Sequence, residues 1–279
     1  MQVHVLQKQS LNYSADYRGL SMNLARTTIL DFEVDTLTID QTADQIFTLI
    51  TSGRGGYQVS LNTFKILESK KSNELSKTLA QASFLSADGV SIQIASVLLG
   101  GGRIPRVPGI DLAECLLQGS ALLGVTVFLL GSTDEVLEQT IHSLCARYPG
   151  LKIVGSRNGF WVPEQATDIS NLIRNSGAQL CLIALPSPQK EYLAKSLSVS
   201  HDQTFFLPVG GAFEVFSGQV NRAPKWIQII GFEWFFRFIQ EPRRLWRRYL
   251  EANLNFLYLL TLSLATRISN YFFRIFTRS

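Results

Sequence analysis

Residues 125–131 read Val-Thr-Val-Phe-Leu-Leu-Gly, an apolar, β-branched run that stops at a glycine. Such a run predicts a buried strand. Ser132 follows it as a good helix N-cap, and the spacing beyond predicts a helix to Arg147. The cadence then repeats. Leu151–Gly155 reads as a strand and Pro163–Ser176 as a helix. Ala178–Leu185 (AQLCLIAL) reads as a buried strand and Pro188–Leu197 as a helix. Thr204–Gly211 (TFFLPVGG) is a strand that runs into a short helix over Ala212–Phe216. Strands alternating with helices of about 10–15 residues build a parallel sheet with helices on both faces. Sheets of that kind bind ligands at the C-terminal ends of their strands.

The N-terminal half carries the same pattern less regularly. Thr27–Thr38 predicts a strand and turn, and Asp40 opens a helix over Gln41–Ile50. Tyr57–Asn62 predicts a strand and Phe64–Ala82 one helix. Phe84–Ala87 is a short strand that ends at Asp88-Gly89, and Val90–Leu99 is a helix before Gly100-Gly101-Gly102. The expected architecture is α/β, with a Rossmann-like parallel sheet over residues 27–218. A loose extension (1–26) precedes it and a basic, aromatic helical appendage (219–279) follows.

Composition sharpens that division. Of 279 residues, 46% are hydrophobic and only 17% are charged, against about 25% charged in ordinary soluble proteins. The abundance of aromatics excludes a disordered or fibrous chain. The longest uncharged run near the C-terminus, Ala252–Thr266, has 15 residues and contains Asn253 and Asn255. A spanning helix needs about 20 mainly apolar residues. The formal net charge of +4 is unevenly spread. From Arg222 onward ten basic residues face three acids, a net of +7, which leaves −3 for the remainder. The same segment holds 14 of the 30 aromatics, so its charge is not merely that of a solvated helical face. Arg interleaved with Trp and Phe suits an anionic surface, with nucleic acid as the competing partner. Trp226, Trp234, Arg244, Trp246 and Arg248 are the expected membrane contacts, with Phe256–Leu264 and Tyr271–Phe276 extending the apolar surface.

Cys115, Cys145 and Cys181 are scattered in apolar stretches, and the three histidines are isolated. Neither set has metal-ligand spacing, so no metal and no cofactor is expected. The polar N-terminus lacks the apolar stretch of a secretory signal.

Two glycine turns follow predicted strands, at Gly131-Ser132 and at Gly210-Gly211. Free amides at such turns bind phosphate. Asp134 and Glu135 sit just after Gly131, where they satisfy the helix dipole themselves. This favours Gly210-Gly211 as the main phosphate turn and gives Gly131 more weight as a structural turn, while both stay among the expected UDP-binding residues. Neither turn is G-x-G-x-x-G or a P-loop. Asp88 has two readings, an Asp-Gly turn residue or a general base at the ligand edge of the sheet. Ser60 and Asn62 end the neighbouring strand and flank it. Arg106 and Asp111 lie in a Pro/Gly loop. No D-x-D occurs, so a bound diphosphate would take its counter-charge from protein cations.

Eight segments in order resemble one family. They are VSLN (59–62), SADG (86–89), RVPGIDL (106–112), VFLLGS (127–132), YPGLKIVGSRNGF (148–160), ALPSPQKE (184–191), PVGGAFEVFSGQVNRAPKW (208–226) and FEWFFRFIQEPRRLWRR (232–248). Together they resemble the WecG/TagA/CpsF glycosyltransferases over about residues 30 to 250. The resemblance implies sugar transfer from a UDP-sugar, with inversion, to a polyprenyl-diphosphate-linked saccharide. It further implies the cytoplasmic face of a bacterial membrane, no nucleic acid partner, and a C-terminal segment that docks on the membrane and completes the site. It leaves homo-oligomerisation open, and leaves the sugar open between an N-acetylmannosamine type and a hexose.

By that resemblance the catalytic aspartate falls on Asp88, its neighbouring asparagine on Asn62 and the family threonine on Ser60. The loop arginine falls on Arg106, and the G-x-D after it on Gly109 and Asp111. Pro188 and Glu191 match a G-x-P-x-Q-E motif in which Lys190 stands at the usual Gln position, with Gln189 beside it. Glu214 keeps the acid after G-G-x-F. Lys190 brings a cation where the family has an amide, which suits an acidic donor or acceptor or another way of holding diphosphate. The expected chemistry makes Asp88 the base that deprotonates the acceptor hydroxyl. Arg237, Arg243, Arg247, Lys190 and the Gly210-Gly211 turn then stabilise the leaving UDP. Two other classes remain, a non-enzymatic binding module and an NAD-dependent nucleotide-sugar epimerase or dehydrogenase. The missing G-x-G-x-x-G and Y-x-x-x-K count against the latter.

Overall fold

The computed structural model describes residues 25–240 and 242–276. The expected N-terminal extension lies almost wholly outside them. The elements run β1 (Arg26–Ile29), β2 (Phe32–Asp35), α1 (Ile39–Thr51), β3 (Gly56–Leu61), α2 (Thr63–Lys71), α3 (Asn73–Ala80), β4 (Phe84–Ala87), α4 (Val90–Leu98) and α5 (Gly109–Leu123). They continue with β5 (Thr126–Gly131), α6 (Asp134–Arg147), β6 (Lys152–Arg157), α7 (Ala166–Ser176), β7 (Leu180–Ala184), α8 (Gln189–Ser200), β8 (Phe205–Pro208), α9 (Ala212–Phe216), α10 (Lys225–Ile229), α11 (Glu233–Gln240) and α12 (Pro242–Phe276).

One eight-stranded sheet runs β1-β2-β4-β3-β8-β7-β5-β6. Every pair is parallel except the β1–β2 hairpin. Strand alternation divides the core in two. Phe128, Leu130, Cys181 and Ile183 face one side with α2, α3, α4, α7 and α8. Val127, Leu129, Leu180 and Leu182 face the other with α1, α5, α6 and α9. The chain leaves β8 and β5 toward α9 and α6 on one face and β7 toward α8 on the other.

Local chemistry sets the boundaries. Thr38 caps α1 through a reciprocal box with Gln41. Thr38→Ala is expected to cost about 1 kcal/mol, read as a lower denaturant midpoint at unchanged slope. The expected helix over 64–82 is two helices. Ser72 ends α2 and its hydroxyl accepts from Leu75 N at 3.2 Å to start α3. Ser132 is not the cap of α6. It adopts φ 59°, and Thr133 caps instead by accepting from Val136 N.

The sequence reading missed α5. Pro108-Gly109 at its start reads as loop, yet Leu112, Ala113, Leu116, Leu117 and Ser120 form a buried stripe at helical spacing. Gly119 lies under Phe47, whose ring would stand 2.5 Å from any Cβ there.

The appendage also departs from expectation. Phe256 and Leu260, one turn apart on α12, are buried in the core cluster that contains Ile66 of α2. They are core residues rather than part of an exposed apolar surface. Leu254, Leu257, Tyr258 and Leu262 are exposed, while Tyr271–Phe276 have side chains outside the described residues. Among the described residues no helix is long and apolar enough to cross a membrane.

Candidate active site

The expected site residues gather at the C-terminal edge of the sheet. Ser60 lies in β3, and Asn62 follows as the N-cap of α2, accepting from Lys65 N at 3.1 Å. Asp88 follows β4. Its amide donates to Leu61 O at 2.7 Å, which fixes the end of β4 against the end of β3. Val107 N donates to Ala87 O and brings the Arg106 loop to the same edge. Gly109 sits so close that a Cβ would stand 3.2 Å from the Ser60 hydroxyl.

A cleft of about 240 Å³ opens beside these strand ends. Val90 and Gln93 of α4 line it, with Arg106, Pro108, Asp111 and Gln228 of α10. Burial holds the Asp88 carboxyl above the usual carboxylate range. Lys65 and Arg106 pull it down, whereas Glu233 and Asp111 push it further up. A carboxyl raised in this way is a stronger base once ionised than an ordinary aspartate.

Asp111 and Glu233 are both engaged by Arg222, a residue the sequence reading counted only as charge. Its Nη1 lies 2.6 Å from Asp111, and its Nε donates to Glu233 at 3.0 Å. These carboxylates hold the guanidinium strongly charged, outweighing its burial. The clamp joins the first turn of α5 to α11 and so ties the appendage to the cleft. Asp111, which lines the cleft, is thus also an ion-pair partner within the fold, whereas the Asp88 carboxylate has no cationic contact among the described hydrogen bonds and ion pairs.

Beside the end of β3 the P-x-x-E segment forms a buried ionic cluster. Pro188 caps α8 after a cis Ser187–Pro188 bond, and Gln189 begins the helix. Lys190, Glu191 and Lys65 are nearly inaccessible. Lys65 Nζ lies 3.0 Å from Glu191 Oε1 and also donates to Ser60 O. Lys190 Nζ donates to the same Oε1, and Ser187 Oγ donates to Oε2 at 3.0 Å. Burial lowers Lys190 to about 8, with Lys65 adding to the shift. For Glu191 burial works upward, but the two lysines outweigh it and hold the carboxyl at about 2. Lys65 went unread because a Lys three residues after a strand looks like any solvated helical position.

The two glycine turns meet each other. Ser132 Oγ donates to Glu214 Oε1 at 3.0 Å. A Cβ on Gly131 would stand 2.2 Å from Ala184 O, and the Ser132 amide donates to that same carbonyl. The turn is packed against the backbone of the neighbouring strand β7. At the second turn Gly210 takes φ 58° and lies against the Lys190 side chain. Its amide points to Ile183 O at 3.3 Å, and Gly211 is exposed.

Trp226, Trp234 and Trp246 are exposed at 65%, 43% and 46%, large values for indoles. With Ile230, Phe232 and Phe235 they form an apolar exposed surface on α10–α12. The side chains of Arg237, Arg243, Arg244, Arg247 and Arg248 lie outside the described residues, although α11 and α12 carry their backbone. Among the described residues no cluster of three His, Cys, Asp or Glu is placed to hold a metal.

The model of the glycosyl transferase WecG/TagA/CpsF family matches residues 27–270, from β1 into α12. A match of that extent spans the sheet, the cleft and most of the appendage. The chain belongs to the WecG/TagA/CpsF family of glycosyltransferases, and is therefore a transferase of polysaccharide biosynthesis with a nucleotide-sugar donor and a sugar acceptor.

Proposed function

We propose that the chain transfers a sugar, with inversion, from a UDP-sugar to a polyprenyl-diphosphate-linked saccharide, working on the cytoplasmic surface of a bacterial membrane. The observation that carries this reading is Asp88. It follows β4 at the C-terminal edge of the sheet, two residues before Val90 of the cleft wall, with its carboxyl raised by burial. A sugar hydroxyl is a weak nucleophile, so a base must take its proton as it attacks C1 of the donor. Direct displacement on an α-linked donor gives a β-linked product. The departing UDP gathers negative charge, which preorganised cations stabilise. Arg106 lines the cleft, and Arg237, Arg243 and Arg247 of the appendage are assigned to the same task.

The exposed aromatics of α10–α12 and the +7 of the segment from Arg222 support the membrane half of the reading. The acceptor's lipid stays in the bilayer while its sugar reaches the cleft. The experiment is transfer with a panel of UDP-sugars and a short-chain polyprenyl-diphosphate-sugar, read by product mass. One donor is expected to turn over. A panel without transfer, from a protein that also fails to bind UDP, would overturn the assignment. Flotation with vesicles containing anionic lipid checks the surface. Binding is expected to weaken with salt, and equal binding to neutral vesicles at every salt concentration would refute the charge contribution.

A further inference from the structure

Two arginines and two acids meet where the appendage crosses the cleft. Arg222, just before α10, holds Asp111 at 2.6 Å through Nη1 and Glu233 at 3.0 Å through Nε. A third acid, Glu114, stands 4.0 Å away and has Arg147 as a nearer partner at 3.3 Å. The Arg222 side chain is only 15% exposed. Its Nη2 is shut off from solvent and has no hydrogen-bond partner among the described residues. Arg222 therefore serves the two acids rather than a ligand. Arg106 is the opposite case. It lines the cleft, and among the described hydrogen bonds and ion pairs it has no partner.

Both acids neighbour Arg106. Asp111 shares the cleft wall with it. Glu233 follows two residues after Gly231, which takes φ 79° and is seated on the first turn of α4. A Cβ on Gly231 would collide with Val90 Cγ2 and stand 3.6 Å from Arg106 Nη1. An arginine and a carboxylate left unpaired in one small cleft draw together, because a charge-assisted pair is favourable where water is scarce. A diphosphate would then have to displace the acid before it could use the arginine.

We propose that Arg222 is a positioning residue for donor binding, which takes up Asp111 and Glu233 and so leaves Arg106 as the open cation for the diphosphate of the nucleotide-sugar. The proposal rests on the reading of the cleft as the donor site and extends it to a residue that the donor does not touch. The charges of Arg106, Arg222, Asp111 and Glu233 sum to zero, but they are unevenly arranged. Both negative charges are held by one guanidinium, and one positive charge is left facing the cleft. Arginine suits the task because its fork offers separate nitrogens to two carboxylates at once, whereas a lysine offers a single point charge. The same clamp fixes α11 against α5, so the acid of the appendage is neutralised only when the appendage is in place.

The test uses the full chain and UDP, with binding read by calorimetry. Arg222→Gln is expected to weaken UDP by about tenfold or more, the worth of one charge-assisted contact. Arg106→Gln is expected to weaken it by a similar factor. The two losses are not expected to add. On the Arg106→Gln background, Arg222→Gln is expected to change UDP affinity by less than about twofold. Removing the whole clamp together, as Arg222→Gln with Asp111→Asn and Glu233→Gln, is expected to return affinity to within about threefold of wild type, because Arg106 then has no acid to pair with. If Arg222→Gln does not fold, Arg222→Lys carries the same cycle, since one ammonium does not reproduce the fork. Unchanged UDP binding in the folded Arg222 variant would overturn the proposal. So would losses that add to those of Arg106→Gln, or a triple variant as weak as the single one, because either would mean that Arg222 only braces the fold. A wild-type chain that binds no UDP would overturn the donor reading and the proposal with it, whereas normal wild-type binding beside any of the other failures overturns the proposal alone.

Discussion

Asp88→Asn is expected to lower the rate of sugar transfer by about 10²–10⁴-fold, the ordinary contribution of a positioned base. The substitution removes the basic oxygen and little else. The contact that fixes this position is the backbone amide of Asp88 on Leu61 O, and asparagine keeps it. UDP binding, measured by calorimetry, is therefore expected to change by less than about threefold, so the loss falls in kcat. The pH profile carries its own sign. The base acts only when ionised, and burial raises its midpoint above the usual carboxylate value. The wild-type rate is therefore expected to fall with decreasing pH earlier than an unperturbed aspartate would allow. A variant that kept more than about a third of wild-type turnover would remove Asp88 from the chemistry, since general-base loss costs at least about 10²-fold. Asp111 and Glu233 are poor substitutes, because Arg222 already occupies both.

How much of this could be read from residues alone depended on where each signal lay. The strands from β5 to β8 were legible because runs such as VTVFLLG and AQLCLIAL are too apolar to lie anywhere but inside a sheet covered on both faces. The α5 helix was passed over because Pro108-Gly109 imitates a loop at its start, although Leu112, Ala113, Leu116 and Leu117 carry helical spacing; only the cover of Gly119 by Phe47 needs the tertiary structure. Asp88 and Asn62 were legible as motif residues after strands, and Arg106 as one in a Pro/Gly loop. Arg222 and Lys65 were not, because their roles depend on partners more than ten residues away in the chain. Arg222 reaches Asp111, and Lys65 reaches Glu191. Sequence spacing carries local periodicity well and such long-range pairing hardly at all. The same limit explains the appendage. Composition showed where the oily residues are, but only the packing of Phe256 and Leu260 on α2 separates those that belong to the core from those left exposed.

Glu191→Gln is expected to destabilise the fold by about 3–5 kcal/mol, the usual cost of removing one member of a buried ionic group. The glutamine keeps the volume, and its one oxygen can still accept from a lysine while its NH2 takes the place of the oxygen that Ser187 bonds. It cannot balance two ammonium groups that are each less than 10% exposed. The pH dependence distinguishes this cause from a simple packing defect. In the wild type Glu191 is held at about 2 in the fold, below its unfolded value near 4.5. Its contribution is therefore complete above about pH 4.5 and is lost as pH falls toward 2. The variant lacks this step, so the two stability curves are expected to converge in acid. The alkaline side runs the other way. Lys190 is lowered to about 8 in the fold against 10.5 in the open chain, so the unfolded chain binds the extra proton between those values. Stability from this group therefore rises with pH across that window. Without Glu191 the lysine loses its nearest anion, and its folded midpoint drops further. The rise then begins at lower pH, and the variant is expected to recover part of its deficit by about pH 9 as one ammonium is neutralised. Denaturant unfolding at about pH 4, 7 and 9 reads all three regimes. A deficit that is the same at every pH would mean that the pocket prizes the shape of Glu191. A deficit that is large at neutral pH and shrinks toward both ends would mean that it prizes the charge.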